Sequence, residues 1–500
     1  MHAPTRALTG VAGLDDVLAG GLIRGRLYLV DGDPGAGKTT LALQFLLEGS
    51  KSDERCLYVT LSETGDELRA GAASHGWDLD RIEILELVAE EQDLEGESQL
   101  TMFNPSEVEL TETTRKMLEA IDRIRPSRMV LDSLSELRLL AQSSLRYRRQ
   151  ILALKQYFVG RNCTVLLLDD RTAEGPDLQL QSIAHGVLSL EHKAPAYGQA
   201  QRQVRAVKFR GSDFRSGLHD FAIRQGGLQV FPRLTASEHR PDFEPEPVKS
   251  GIAALDALMG GGIDKGTSTL LVGPPGTGKS TVSLQYAAAA AARGEHAAIF
   301  TFDEAKSTLL ARAAGLGIGL TEGRGPGTVA IRQLDPAEVS PGEFAHLVRE
   351  AVEQDGVSVV VIDSLNGYLN SMPEAKFLTA QLHELLSYLN NCGVVTFLVV
   401  AQAGLMGPAM SSPVDATYLA DAVIMFRMFE YQGKVKKAIS VLKKRSGFHE
   451  ETIRQLSLDK RGIHLTEPLE HLRGVLTGVP IEVDGARRST EQGTDRDDGT

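Results

Sequence analysis

Apolar residues along the chain fall into short runs rich in Leu, Val and Ile, separated by longer stretches in which they recur at helical spacing. RLYLVD from Arg26, CLYVTL from Cys56, RMVLD from Arg128 and CTVLLLD from Cys163 read as strands. They lack the strict alternation of a sheet with one wet face, so both faces are expected to be covered. Between them TTLALQFLLEG from Thr39 and SLRYRRQILALKQYFVG from Ser144 carry the spacing of amphipathic helices. Strands alternating with helices predict an α/β fold with a parallel central sheet.

The pattern occurs twice. TGVAGLDDVLAGGLIRGRLYLVDGDPGAGKTTLALQF, from Thr9, matches SGIAALDALMGGGIDKGTSTLLVGPPGTGKSTVSLQY, from Ser250, without a gap. The offset is 241 residues, the separation of Lys38 and Lys279, and it also relates YVTLSET from Tyr58 to IFTFDEA from Ile299. Further on the offset shortens to 231, where RMVLDSL and VVVIDSL align Asp132 with Asp363. A repeat this long implies two domains of one fold, not a solenoid. The expected division is residues 1–235 and 249–470, joined by the Pro- and Glu-rich linker 236–248. Residues 471–500 form a C-terminal segment whose last part, DGARRSTEQGTDRDDGT, has almost nothing to bury and is expected to be disordered. EQDLEGESQLTMFNPS, residues 91–106, is expected to be a surface loop peculiar to the first domain.

Composition narrows the function classes. In 500 residues, 53 basic against 66 acidic side chains give a net charge of −13, which argues against a chain that coats nucleic acid by bulk attraction. Aromatics at 5% offer few stacking platforms. The three cysteines, Cys56, Cys163 and Cys392, sit at the edges of apolar runs and form no CxxC pair, so they read as core residues in a reducing compartment. The start, MHAPTRALTG, carries no apolar segment of signal type, and the apolar stretch Tyr286–Ala292 is too short to span a bilayer. The expectation is a cytoplasmic protein without a membrane partner.

The chemistry sits in the repeated loops. GDPGAGKTT (Gly32, Asp33, Pro34, Gly35, Ala36, Gly37, Lys38, Thr39, Thr40) and GPPGTGKST (Gly273, Pro274, Pro275, Gly276, Thr277, Gly278, Lys279, Ser280, Thr281) fit G-x-x-x-x-G-K-[ST] between a strand and a helix. Such a loop turns backbone N–H groups toward phosphates, its lysine reaches the β- and γ-phosphates, and its hydroxyl (Thr39, Ser280) serves Mg²⁺. The ligand expected is therefore ATP with Mg²⁺. Asp132 and Asp363, each ending an apolar strand, are either the second carboxylate at the metal or helix N-caps. Ser62-Glu63 and Asp303-Glu304 end the strand after each loop, and a carboxylate there either orients the attacking hydroxyl or is an exposed turn residue. Lys208 with Arg210, and Lys443 with Arg445, follow apolar strands near each domain's end. They are solvated charges or cations supplied to the phosphates of a neighbouring subunit, the latter implying a ring.

Taken together, the doubled Gly-rich approach (Gly10 to Gly25, Gly251 to Gly266), both phosphate loops, both Asp-Ser-Leu strand ends, VKFRG and VLKKRSGFHEETIR resemble the KaiC-like family, within the RecA/RadA-like class of P-loop ATPases. The resemblance spans the chain to about residue 470. It implies tandem RecA-like domains, a homohexamer with ATP between protomers, slow hydrolysis in the first ring and autophosphorylation on Ser/Thr in the second. It also implies signalling-protein partners, carboxylate pairs at Ser62-Glu63 and Asp303-Glu304, and trans cations at Lys208, Arg210, Lys443 and Arg445. The family's phosphosites fall on Thr417 and Tyr418, with Ser412 at a further hydroxyl position. Two positions depart from the pattern. Ser62 replaces a glutamate and cannot act as a base, which leaves Glu63, and Asp303 is one methylene shorter than the residue it replaces. A RecA/RadA-class recombinase or helicase and an ATP-assembled scaffold without kinase activity are the alternatives that share the fold.

Overall fold

A computed structural model describes residues 5–87, 105–171, 178–195, 198–239, 243–244, 246–370, 378–402 and 417–483. The chain divides into two compact units, the first holding the residues up to Arg233 together with Ser340–His346 and the second the remainder.

The first unit is built on a nine-stranded sheet. Leu27–Gly32 lies at its centre between Thr164–Asp170 and Gly186–Lys193, parallel to both. Beyond Thr164–Asp170 come Arg128–Asp132, Cys56–Thr60 and Ile82–Glu86, all parallel. Beyond Gly186–Lys193 the sheet turns antiparallel through Gln201–Phe209, His219–Arg224 and Gly227–Phe231. The second unit repeats this order strand for strand. Ser268–Gly273 takes the centre, Val395–Ala401, Val357–Asp363, His296–Thr301 and Val329–Gln333 the parallel side, and Ala422–Tyr431 the other flank. Lys434–Lys444, Arg454–Asp459 and Gly462–Pro468 form its antiparallel end. The expected α/β fold with parallel central sheets is what the structure shows. The sequence showed apolar strands before Lys208 and Lys443 but not the antiparallel pairing of the flanks; Gln201–Phe209 buries alternate positions over part of its length, whereas His219–Arg224 and Gly227–Phe231 are mostly buried.

The unalternating strands have the expected cause. Tyr28 and Val30 belong to a core cluster with Tyr58, Val130 and Leu166, whereas Leu27 and Leu29 belong to a second cluster with Leu57, Val59 and Leu131. Successive side chains thus enter cores on opposite faces of the sheet. Helix Lys38–Lys51 packs in the first cluster and helix Ser144–Phe158 in the second. Cys56 and Cys163 are free and buried. Among the described residues no helix is long and apolar enough to cross a membrane.

The stretch read as a linker contains a short 3₁₀ turn, Ala236–Glu238, and the strand Pro247–Val248, which pairs with Ile263–Asp264. Past residue 470, Leu472–Arg473 pairs with Ile481–Glu482. Most of the loop expected at 91–106 and the tail from residue 484 lie outside the described residues, and helix Pro105–Ile124 begins at the loop's end.

One core position separates the two sheets. Arg128, at the start of its strand, is 2% exposed. Its guanidinium donates to Glu54 (2.8 Å) and to the carbonyls of Leu8 (2.7 Å) and Phe45 (2.8 Å), and it lies 4.7 Å from the centroid of the Phe45 ring. Burial alone would raise Glu54, but Arg24 and Arg128 overcome it and hold the carboxyl at about 2. The matching position of the second sheet is Val359, fully buried and apolar. A buried pair is strongly destabilising when broken, since one charge is left uncompensated, but not when both groups are replaced by apolar side chains. Arg128→Ala is therefore expected to destabilise the first domain by about 3–5 kcal/mol, read as loss of one transition in domain-resolved denaturation. Because Glu54 is depressed, its contribution is full above its unfolded pKa and is lost as pH falls from about 4.5 toward 2. Glu54→Gln should flatten stability over that acid window.

Candidate nucleotide sites

Each phosphate loop connects the end of the central strand to a helix. Gly37 and Gly278 stand at the helix N-termini with φ of 100° and 104°, a conformation that a side chain would strain. A Cβ at Gly273 would also lie 2.3 Å from the carbonyl oxygen of Phe426, so the neighbouring strand presses against this loop.

Both loop lysines are buried and fixed in the same way. The Lys38 ammonium donates to the carbonyls of Gly32 (3.0 Å) and Asp33 (2.9 Å), and that of Lys279 to Gly273 (2.8 Å) and Pro274 (2.7 Å). The hydroxyl of Thr39 donates to Asp132 at 3.3 Å, and Ser280 hydrogen-bonds Asp363. Burial raises both aspartates. A hydroxyl beside a carboxylate that burial disfavours as an anion is a set of hard oxygen donors that suits Mg²⁺.

The turn after the next strand is also shared. The Glu63 N–H donates to the Thr60 hydroxyl (3.0 Å), which donates to the Glu63 carbonyl (2.7 Å); Thr301 and Glu304 form the same pair at 3.3 and 2.8 Å. These bonds fix where the glutamates leave the sheet. Ser62 is exposed. Asp303 accepts a hydrogen bond from Ser364, on the residue after Asp363.

The surroundings then diverge. In the first domain Lys38 forms an ion pair of 2.6 Å with Asp170, whose strand end pairs in register with Gly32. Tyr58 donates to Asp132 at 2.5 Å. Burial, reinforced by Asp132, Glu67 and Asp170, raises Glu63. In the second domain the residue in register with Gly273 is Ala401, and burial pushes Lys279 down to about 8. Glu304 there is paired with Arg312 at 2.6 Å. Asp170, Tyr58 and Arg312 were not singled out from the sequence. Aligning the strand ends of the repeat, LLLDDR against FLVVAQ, would have exposed Asp170 as a difference.

The family model for the KaiC ATPase matches residues 7–235 and again residues 248–470. The chain belongs to the KaiC family of ATPases. The Circadian clock protein KaiC3 of Synechocystis is 25% identical over 95% of this chain and 94% of its own length. The Circadian clock oscillator proteins KaiC of Synechococcus elongatus and of Parathermosynechococcus lividus are 24% and 26% identical, covering 96% and 95% of this chain and 93% and 88% of their own lengths. Membership of the KaiC ATPases implies ATP binding.

Among the described residues the four cations at the domain ends make no hydrogen bond to a phosphate loop of their own chain; apart from the Arg445–Asp421 contact, their hydrogen bonds go to backbone carbonyls. Lys208 donates to Gln181 (2.6 Å) and Ala184 (2.8 Å), and Arg210 to Ser182 (3.2 Å). Lys443 donates to Thr417 (2.9 Å) and Ala420 (2.7 Å), and Arg445 to Tyr418 (3.0 Å) and to the Asp421 carboxylate (3.3 Å). Thr417 and Tyr418 are exposed in the turn before Ala422–Tyr431, whereas Ser412 lies outside the described residues.

Asp170 pairs with the loop lysine at 2.6 Å, so competition with a nucleotide phosphate for Lys38 is the expected outcome. In a Lys279→Ala chain, where the second loop is disabled, Asp170→Asn is expected to tighten ATP binding about fivefold, or roughly 1 kcal/mol. Titration calorimetry checks this, and unchanged or weaker binding would count against the competition.

Proposed function

We propose that the chain is a hexameric KaiC-type ATPase that hydrolyses ATP in its first domain and phosphorylates itself in its second, serving as a signalling or timing switch. The observation that carries this reading is the duplicated arrangement of loop lysine, hydroxyl–aspartate pair and threonine-fixed glutamate turn on two sheets of one topology. The clock names borne by relatives of nearly full length support the switch role.

In the first domain the N–H groups of the loop and Lys38 bind and orient the triphosphate. Mg²⁺ held by Thr39 and Asp132 would neutralise charge on the phosphate oxygens. Glu63 takes the proton of the attacking water as its oxygen bonds to the γ-phosphorus, and the bond to the β-phosphate oxygen breaks, leaving ADP and phosphate. Burial among carboxylates raises Glu63 and so makes it a better base than an exposed glutamate. In the second domain Lys279, Ser280 and Asp363 hold the nucleotide, and Asp303 takes the proton of a protein hydroxyl, Thr417 first and Tyr418 or Ser412 otherwise, as that oxygen bonds to the γ-phosphorus and the bond to the β-phosphate oxygen breaks, leaving ADP. The hydroxyls of a neighbouring protomer meet the phosphate between subunits, where Lys208, Arg210, Lys443 and Arg445 supply trans charge. A phosphate on Thr417 adds about −1.5 to −2 charge, enough to change how a signalling protein docks.

The test is incubation of the full chain with γ-labelled ATP, following free phosphate and label on protein. Glu63→Gln is expected to reduce first-domain phosphate release by about 10²-fold or more, Asp303→Asn to abolish label, and Thr417→Ala to remove most of it. A wild-type chain that releases phosphate but takes up no label refutes the autokinase and leaves the ATPase. One that assembles with ATP and releases no phosphate leaves only a scaffold.

A further inference from the structure

Arg312, on helix Lys306–Gly315 of the second domain, makes three directed contacts around the glutamate of the site. Its Nη2 lies 2.6 Å from Glu304 Oε2 and its Nε 3.2 Å from Oε1, a fork on both carboxylate oxygens. Its Nη1 donates to the Thr281 hydroxyl at 3.3 Å. Thr281 follows Ser280 on helix Lys279–Ala292, so one guanidinium ties the glutamate to the helix that starts at the phosphate loop. Both side chains are only about a quarter exposed, at 25% and 26%, and the pair is screened less than a surface pair. Among the described residues the first domain has no such tie. Gly71 stands at the position of Arg312 in the repeat, and a Cβ there would meet nothing within 4 Å.

A carboxylate that must accept a proton from water needs a free oxygen aimed at that water. A bidentate guanidinium occupies both oxygens and fixes their direction. We propose that Arg312 is a brake on ATP hydrolysis in the second domain: by holding both oxygens of Glu304 against helix Lys279–Ala292 it keeps that carboxylate from serving water, and so preserves bound ATP for transfer to a protein hydroxyl. This rests on the reading of Glu304 as a carboxylate able to activate water, and makes Arg312 a positioning residue rather than a catalytic one.

The experiment uses the full chain carrying Lys38→Ala, so that released phosphate reports the second domain. Arg312→Gln is expected to raise kcat for phosphate release at least about threefold, with KM for ATP moving less than kcat. Arg312→Lys, which keeps a single charged contact, should fall between the two. Adding Glu304→Gln to Arg312→Gln should cancel the gain. If Glu304→Gln alone lowers release but both Arg312 variants leave kcat unchanged or reduced, the brake is overturned and the role of Glu304 stands. If Arg312→Gln raises release but adding Glu304→Gln does not cancel the gain, or if neither Arg312 variant nor Glu304→Gln changes release, the role of Glu304 fails and the brake fails with it.

Discussion

A buried ammonium group at the end of each central strand sets the terms for the rest of each domain. Lys38 and Lys279 are 7% and 5% exposed, and a charge so buried is tolerated only with its donors satisfied. The two carbonyls that take each ammonium belong to the last strand residue and the first loop residue, so the loop must double back over its own strand. That reversal demands the left-handed backbone of Gly37 and Gly278, where the helices begin. It also places the loop at the carboxyl edge of the parallel strands, beside the ends that carry Asp132 and Asp363. The glycine spacing and the place of the loop near the carboxylate-bearing strand ends follow from one lysine held by one turn.

With the scaffold common to both halves, the differences lie in what balances charge at the site. In the first domain a carboxylate, Asp170, faces the loop lysine, while further carboxylates crowd Glu63 and raise it. In the second the lysine loses that partner and is lowered, and the glutamate gains an arginine. Positive and negative charge have in effect been exchanged between the lysine end and the glutamate end. On the proposed reading this matches a division of labour. A site with an unpaired, raised glutamate suits water, and one with a restrained glutamate and a separate Asp303 suits a protein hydroxyl.

Much of this was legible in the sequence because the elements that mattered were local. Phosphate loops are contiguous, the apolar strands that end in Asp132 and Asp363 announce themselves by their lack of alternation, and the repeat supplies an internal alignment that fixes equivalent positions. The antiparallel flank was less visible, since strands such as Gln201–Phe209 alternate and bury only part of their length. The site's counter-charges were hidden for another reason. Asp170 meets Lys38 and Arg312 meets Glu304 only through sheet register and helix packing. Each looks like an ordinary surface charge until the chain is folded. Arg128 is the extreme case, a basic residue in an apolar run that the fold buries completely against Glu54.

The cations near the domain ends illustrate why position in the chain and position in the fold must be read together. Lys208 and Lys443 are lowered mainly by burial and then by the adjacent arginine, so each is a partly dehydrated donor. Each already spends its hydrogen bonds on a backbone turn, the first at Gln181 to Ala184 and the second at Thr417 to Ala420. On the proposed reading Lys208, whose three N–H groups go to Gln181, Ser182 and Ala184, must release a carbonyl to meet a neighbouring subunit's phosphate, whereas Lys443, with two such bonds, keeps one N–H for it. A flexible lysine on a free strand end would lose much of its rotamer entropy on meeting the ligand, whereas one held by its own chain has already been oriented. In the second domain the same anchoring fixes the backbone on which Thr417 and Tyr418 stand, so the geometry of the cation and that of the hydroxyl cannot change independently.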